Sequence, residues 1–131
     1  MPDRSDDRLI QASRNLEQAQ DSAAAGRHEW ACFAAQQAAE MAVKALHLKL
    51  GQQAWGHVVR RLLEELPGEV AVPADLLDVA RTVDLHYLPT RYPNGHEAGA
   101  PGEHYGLSQS SEAIHCARQI TEFCRVQMAG S

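Results

Sequence analysis

The sequence predicts an all-α fold, an up-and-down bundle of four to five helices. Three observations carry that prediction. Residues 30–50, WACFAAQQAAEMAVKALHLKL, contain neither glycine nor proline. Hydrophobic residues make up 44% of the chain but aromatics only 5%, so alanine supplies much of the apolar surface. That suits closely packed helices better than a sandwich of sheets. No convincing strand remains, since Val70-Ala71-Val72 is too short and runs into Pro73.

Residues 4–25 read as helix 1. Leu9, Ala12, Leu16, Ala19 and Ala23 recur at three- and four-residue spacing, which makes one apolar stripe. Gly26 ends it. Residues 28–50 read as helix 2. Trp30, Ala34, Gln37, Met41, Ala45 and Leu48 form one stripe, and Ala31, Ala35, Ala38, Ala42 and Leu46 a second beside it. A helix with two adjacent apolar faces meets more than one neighbour, so this is the expected central helix. Gly56 or His57 opens helix 3, with Val59, Leu62, Leu63 and Leu66 inward, and Pro67-Gly68 stops it. Pro73 suits the first turn of helix 4, which carries Leu76, Leu77, Ala80 and Val83 and ends near Leu88, before Pro89.

Residues 89–107, PTRYPNGHEAGAPGEHYGL, hold three prolines and four glycines and read as a long loop. A loop of this length in a small domain is often functional. Ser108 or Ser110 is the expected cap of helix 5, whose stripe runs Ala113, Ala117, Ile120, Cys124 and Met128. The 131 residues make one helical domain, 1–131, with a single core.

Several function classes drop out. The formal net charge of −5 argues against a broad electrostatic grip on nucleic acid, though not against a local arginine site. No window has the length of uncharged apolar sequence that a membrane span needs, and the polar N-terminus MPDRSDDRL is no secretory signal. Cys32, Cys116 and Cys124 are odd in number and lack a CxxC spacing, so they read as reduced, buried thiols of a cytoplasmic protein. The seven histidines are scattered without an HxxxH pair, so no metal site and no cofactor is expected. No phosphate-binding P-loop pattern is present.

Glu40 and Lys44, four apart on helix 2, are oriented for an ion pair. With Gln36 and Gln37 they put polar groups on an apolar helix. Those groups either hold a loop crossing the bundle or line a dimer cleft. His47 reads as a surface or half-buried residue.

Three pieces carry a resemblance: RHEWACFAAQQAAE at 27–40 with its continuation to Lys44-Ala45-Leu46, Gly56-His57 before an apolar helix, and Pro89-Thr90-Arg91-Tyr92-Pro93-Asn94. Together they cover most of residues 8–126. In these the chain resembles the HEPN domain family, in the bacterial and archaeal branch with a QQAAE helix and a TRYP loop. The resemblance implies a homodimer of helical bundles. It implies a toxin or effector that cleaves RNA without metal, through an Arg-x(4–6)-His motif, in a toxin–antitoxin or defence pair with a nucleotidyltransferase-fold antitoxin. The alternative it implies is a non-catalytic nucleotide- or substrate-binding module that partners a nucleotidyltransferase.

Two segments fit the motif spacing. Arg91 and His96 lie in the loop and are the expected catalytic pair. Arg81 and His86 lie on helix 4, where residues five apart are offset by about 140° and diverge. One branch of the family carries Tyr two residues after the motif His, where Ala98 or Leu88 stands here. RNA is cleaved when its 2′-hydroxyl attacks the adjacent phosphorus. A His can take that proton or protonate the leaving oxygen, and an Arg can steady the phosphoryl charge. Tyr92 and Thr90 are the expected substrate-binding residues, together with His57 as a second wall of the cleft.

Overall fold

The computed structural model describes residues 3–92 and 95–130. Five α-helices follow one another: α1 Ser5–Ala24, α2 His28–Lys49, α3 Val59–Glu64, α4 Ala74–Asp84 and α5 Leu107–Ala129, with a 3-10 turn at Pro101–Glu103 before α5. No strand occurs among the described residues. No helix among them is long and apolar enough to cross a membrane.

The central helix is α2, which packs against α1, α3, α4 and α5. Alanine makes this possible. Ala31, Ala35, Ala38, Ala39, Ala42 and Ala45 of α2 are all fully buried, and Ala35, Ala39, Ala42 and Ala45 share one core with Ala12 and Ala19 of α1 and Ala113 and Ala117 of α5. Small side chains let three helix backbones approach closely around one axis. The larger volume comes from Leu46, Leu62, Leu63, Val83 and Ile120.

All three cysteines are free thiols in this core. Burial pushes Cys32 and Cys124 up to about 12, so neither is a nucleophile. His47 is fully buried, where a surface or half-buried residue is expected from the sequence, with Nε2 2.8 Å from the Leu62 carbonyl.

At three helix ends the difference from the sequence expectation has a clear local reason. Helix α3 starts at Val59 rather than at Gly56 or His57, because its cap comes from elsewhere in the chain. The Asp84 carboxylate accepts from Val59 N at 2.6 Å and Arg60 N at 3.1 Å. Burial pushes that carboxyl up, against the two N–H bonds that favour its charged form. Asp84→Ala is expected to cost about 1–2 kcal/mol, the usual worth of a helix cap; a urea midpoint equal to the parent's would contradict this.

Helix α4 ends at Asp84 rather than near Leu88. There the bonding tightens, with Leu85 N donating to Thr82 O and His86 N to Val83 O. Successive turns then carry the chain to Tyr92. Helix α5 begins at Leu107, one residue before Ser108. Its cap is Gly106, whose N–H donates to Gln109 Oε1 at 2.8 Å. Ser110 lies inside the helix, fully buried, and its hydroxyl meets His28 Nδ1 at 2.8 Å, tying α5 to the start of α2.

Candidate functional site

The turns after α4 run beside α2 and bring Arg91 onto an aromatic shelf. Its guanidinium carbon lies 4.2 Å from the ring centre of Phe33, 4.7 Å from Tyr87 and 5.2 Å from Tyr92. Arg91 Nε donates to the Tyr87 carbonyl at 3.1 Å. No carboxylate of a described residue pairs with it; Asp84 is engaged at α3. A guanidinium held by flat faces and one carbonyl is fixed in direction, and the rest of its fork remains available for a phosphate. Tyr92 is 48% exposed, which leaves ring surface for a base. A groove of about 520 Å³ between α1 and α2, with Trp30, Phe33 and Gln37 on its wall, adjoins the shelf.

His96 lies on the other side of the same turns. Its Nε2 donates to the Pro89 carbonyl at 2.6 Å, which leaves Nδ1 as the free nitrogen of the neutral ring. The ring stacks on His104 with centres 4.0 Å apart and planes 2° from parallel, and meets Tyr105 edge-on at 5.9 Å. Arg91 and His96 therefore pack against different rings within one chain. Pro93 and Asn94, between them in the TRYP element, lie outside the described residues.

The other expected site residues divide. Thr90 is buried, and its hydroxyl donates to the His86 carbonyl at 2.9 Å. That hydroxyl braces the turn. His57 lies beside the Arg91 shelf. Its ring stacks on Tyr87 with centres 4.4 Å apart, and Nδ1 lies 3.1 Å from Glu40 Oε1. Gln36, Gln37, Glu40 and Lys44 form one network along α2, and Gln36 Nε2 also donates to the His57 carbonyl at 3.2 Å. These bonds hold the Gly51–Val58 loop, the first of the two readings of these polar residues.

Arg81 and His86 are not brought together. Arg81 is exposed and pairs with Asp78 at 2.7 Å. His86 is buried, edge-on to Tyr105, and its Nδ1 has no partner. Burial lowers its proton affinity below the ordinary 6.5, against a smaller opposing pull from Glu112. The unfolded chain then takes up this proton at a higher pH than the folded one. The stability His86 allows is complete above about pH 6.5 and falls as the pH drops, by up to about 1.4 kcal/mol per unit. His86→Phe is expected to flatten that part of the stability curve; parallel curves for the two proteins between pH 5 and 7 would refute it.

Sequence reading missed Phe33 as the main support of Arg91, and Glu40 as the partner of His57. The available signal was spacing. Phe33, Gln37, Glu40 and Lys44 follow the three- and four-residue rhythm of one helix face. Among the described residues no three metal-ligating side chains converge.

Among curated proteins no relative matches the chain. Solved structures do. TT1696 from Thermus thermophilus is 48% identical with a TM-score of 0.94, over 96% of this chain and 99% of that one. ST0689, an archaeal HEPN homologue, is 38% identical with a TM-score of 0.82, over 98% and 99%. The HEPN domain protein tm0613 from Thermotoga maritima is 31% identical with a TM-score of 0.75, over 93% and 97%. The model of the HEPN domain matches residues 5–127. Nearly the whole bundle, from the first helix to the last, is thus accounted for by one family, and the chain belongs to the HEPN domain family.

Proposed function

We propose that this chain is a metal-independent endoribonuclease and acts as the toxin or effector half of a toxin–antitoxin or defence pair in the cytoplasm. The observation that carries the reading is the Arg91 shelf. A guanidinium flanked by Phe33, Tyr87 and Tyr92 meets two needs of an RNA substrate at once: a cation for the phosphate and flat faces for a base. Arg91 steadies the charge that gathers on the phosphoryl oxygens as the 2′-hydroxyl attacks. His96 supplies proton transfer through Nδ1, and Tyr92 positions the substrate. The working form is a homodimer, and its partner is a nucleotidyltransferase-fold antitoxin.

Induced expression is expected to arrest growth, and His96→Ala and Arg91→Ala to relieve the arrest without loss of fold. The purified protein should cut RNA in excess chelator. Cleavage that stops on chelation, or a His96→Ala protein as toxic as the parent, would overturn the assignment.

One observation favours a second reading, a nucleotide- or substrate-binding module that partners a nucleotidyltransferase. Within one chain, Arg91 and His96 contact different sets of rings. Nucleotide binding that is lost in Arg91→Ala, with no RNA cut by the parent, would select it.

A further inference from the structure

The Glu40–His57 pair has no part in the reaction as described, yet it is built as a proton-transfer unit. Glu40 stands two turns along α2 from Phe33, so both side chains leave the same helix face. The Glu40 side chain is only 9% exposed. It is held from three directions, with Gln36 Nε2, Lys44 Nζ and His57 Nδ1 each 3.1 Å from a carboxylate oxygen. Gly56, at φ +99°, takes a turn that other residues resist and delivers His57 to α2. Gln36 then fastens the His57 carbonyl.

A carboxylate only accepts, so the imidazole donates from Nδ1. The lone pair of the neutral ring therefore sits on Nε2. The His57 side chain is 52% exposed, and no described residue bonds Nε2. The His57 ring lies flat on Tyr87, 17° from parallel. The same Tyr87 ring carries the Arg91 guanidinium. An oriented base and a phosphate-binding cation thus share one aromatic ring.

We propose that His57 is a catalytic residue of this site, the general base that takes the 2′-hydroxyl proton of RNA at Nε2, with Glu40 as its positioning residue. The proposal rests on the ribonuclease reading above. The 2′ O–H bond breaks and its proton passes to Nε2. The 2′ oxygen bonds to phosphorus, and the bond from phosphorus to the 5′ oxygen breaks. That oxygen leaves with a proton from protonated His96. The products are a 2′,3′-cyclic phosphate and a 5′-hydroxyl. The Glu40 carboxylate keeps its bond to Nδ1 and so holds the ring in place through the step. In the homodimer the base of one chain works with the acid of the other, because within one chain His96 packs on His104 and Tyr105, away from Arg91.

Steady-state cleavage of a short RNA by the full chain tests this, with parent, Arg91→Ala, His57→Ala and Glu40→Gln compared. His57→Ala is expected to lower kcat by about 100-fold or more at unchanged KM, and free imidazole to restore part of the loss. Glu40→Gln is expected to lower kcat less, again at unchanged KM. Should His57→Ala fail to fold, His57→Gln keeps an amide donor for Glu40 and carries the kcat-against-KM comparison. If Arg91→Ala is inactive while His57→Ala cleaves at close to the parent rate, this proposal falls and the Arg91 site stands. A His57→Ala loss that appears in KM, or that imidazole does not relieve, also overturns it. A parent chain that cuts no RNA removes the ribonuclease reading and this assignment together.

Discussion

Arg91→Lys is expected to lower RNA cleavage by about 100-fold or more, the loss typical of removing one oriented charge-stabilising donor. The charge survives this substitution; the shape does not. Arg91 lies 4.2 Å from the Phe33 ring centre and within about 5 Å of two tyrosine rings, while Nε holds the Tyr87 carbonyl. A planar fork can stack, bond that carbonyl and still present two donors to a phosphate. A lysine ammonium is a compact point charge on a flexible stem, and it cannot do all three. The stability change should be small, about 1 kcal/mol for the lost stacking, which moves the melting temperature by a few degrees. Single-turnover cleavage beside a thermal melt separates the two effects. If Arg91→Lys cleaves like the parent, positive charge alone suffices and the aromatic shelf has no catalytic role.

The largest effect on stability is expected at Glu40. Glu40→Ala should cost about 3 kcal/mol, because removing one member of a buried pair leaves the other uncompensated. The carboxylate serves three donors at once. Lys44, whose side chain is 18% exposed, loses its counter-charge. Gln36, fully buried, loses an acceptor, and His57 loses the group that fixes its ring. The Gly51–Val58 loop then keeps only the Gln36 bond to the His57 carbonyl as its polar tie to this network. Urea unfolding reads the cost, and a change below about 1 kcal/mol, the worth of a surface ion pair, would show that water replaces the network. Glu40→Gln is expected to be milder, since its amide oxygen can still accept from His57.

How much of this was legible in the sequence varied with the range of the interaction. The alanine stripes of residues 28–50 foretold a central helix because repeat spacing and burial are local, periodic properties. Gly26, at φ +80°, marked the end of the first helix for the same reason. Helix starts were less legible. The cap of α3 is Asp84, 25 residues away from Val59, and nothing near Gly56 announces it. The serines in the first turns of α5 looked like caps, but Gly106 and Gln109 took that role and Ser110 was drawn inward to His28.

The candidate site divided in the same way. Arg91 stood out because proline and glycine bound its segment. Thr90, its neighbour, bonds the His86 carbonyl through its hydroxyl, a contact that nothing in the sequence announces. Phe33 and Glu40 sat in view on one helix face, but a helix face does not say what will cross it.

By itself, then, the sequence determined the helical class, the dominance of residues 28–49 in the core, the family and the segment that bears the arginine. Those follow from composition and from order along the chain. Only the tertiary structure decided that Tyr87 would lie between His57 and Arg91 in contact with both, that Glu40 would orient an imidazole 17 residues away, and that His96 would turn toward His104 and Tyr105 instead of Arg91. The physical reason is that side-chain direction on a turn is set by the packed surfaces it meets, and those surfaces come from helices far away in the chain.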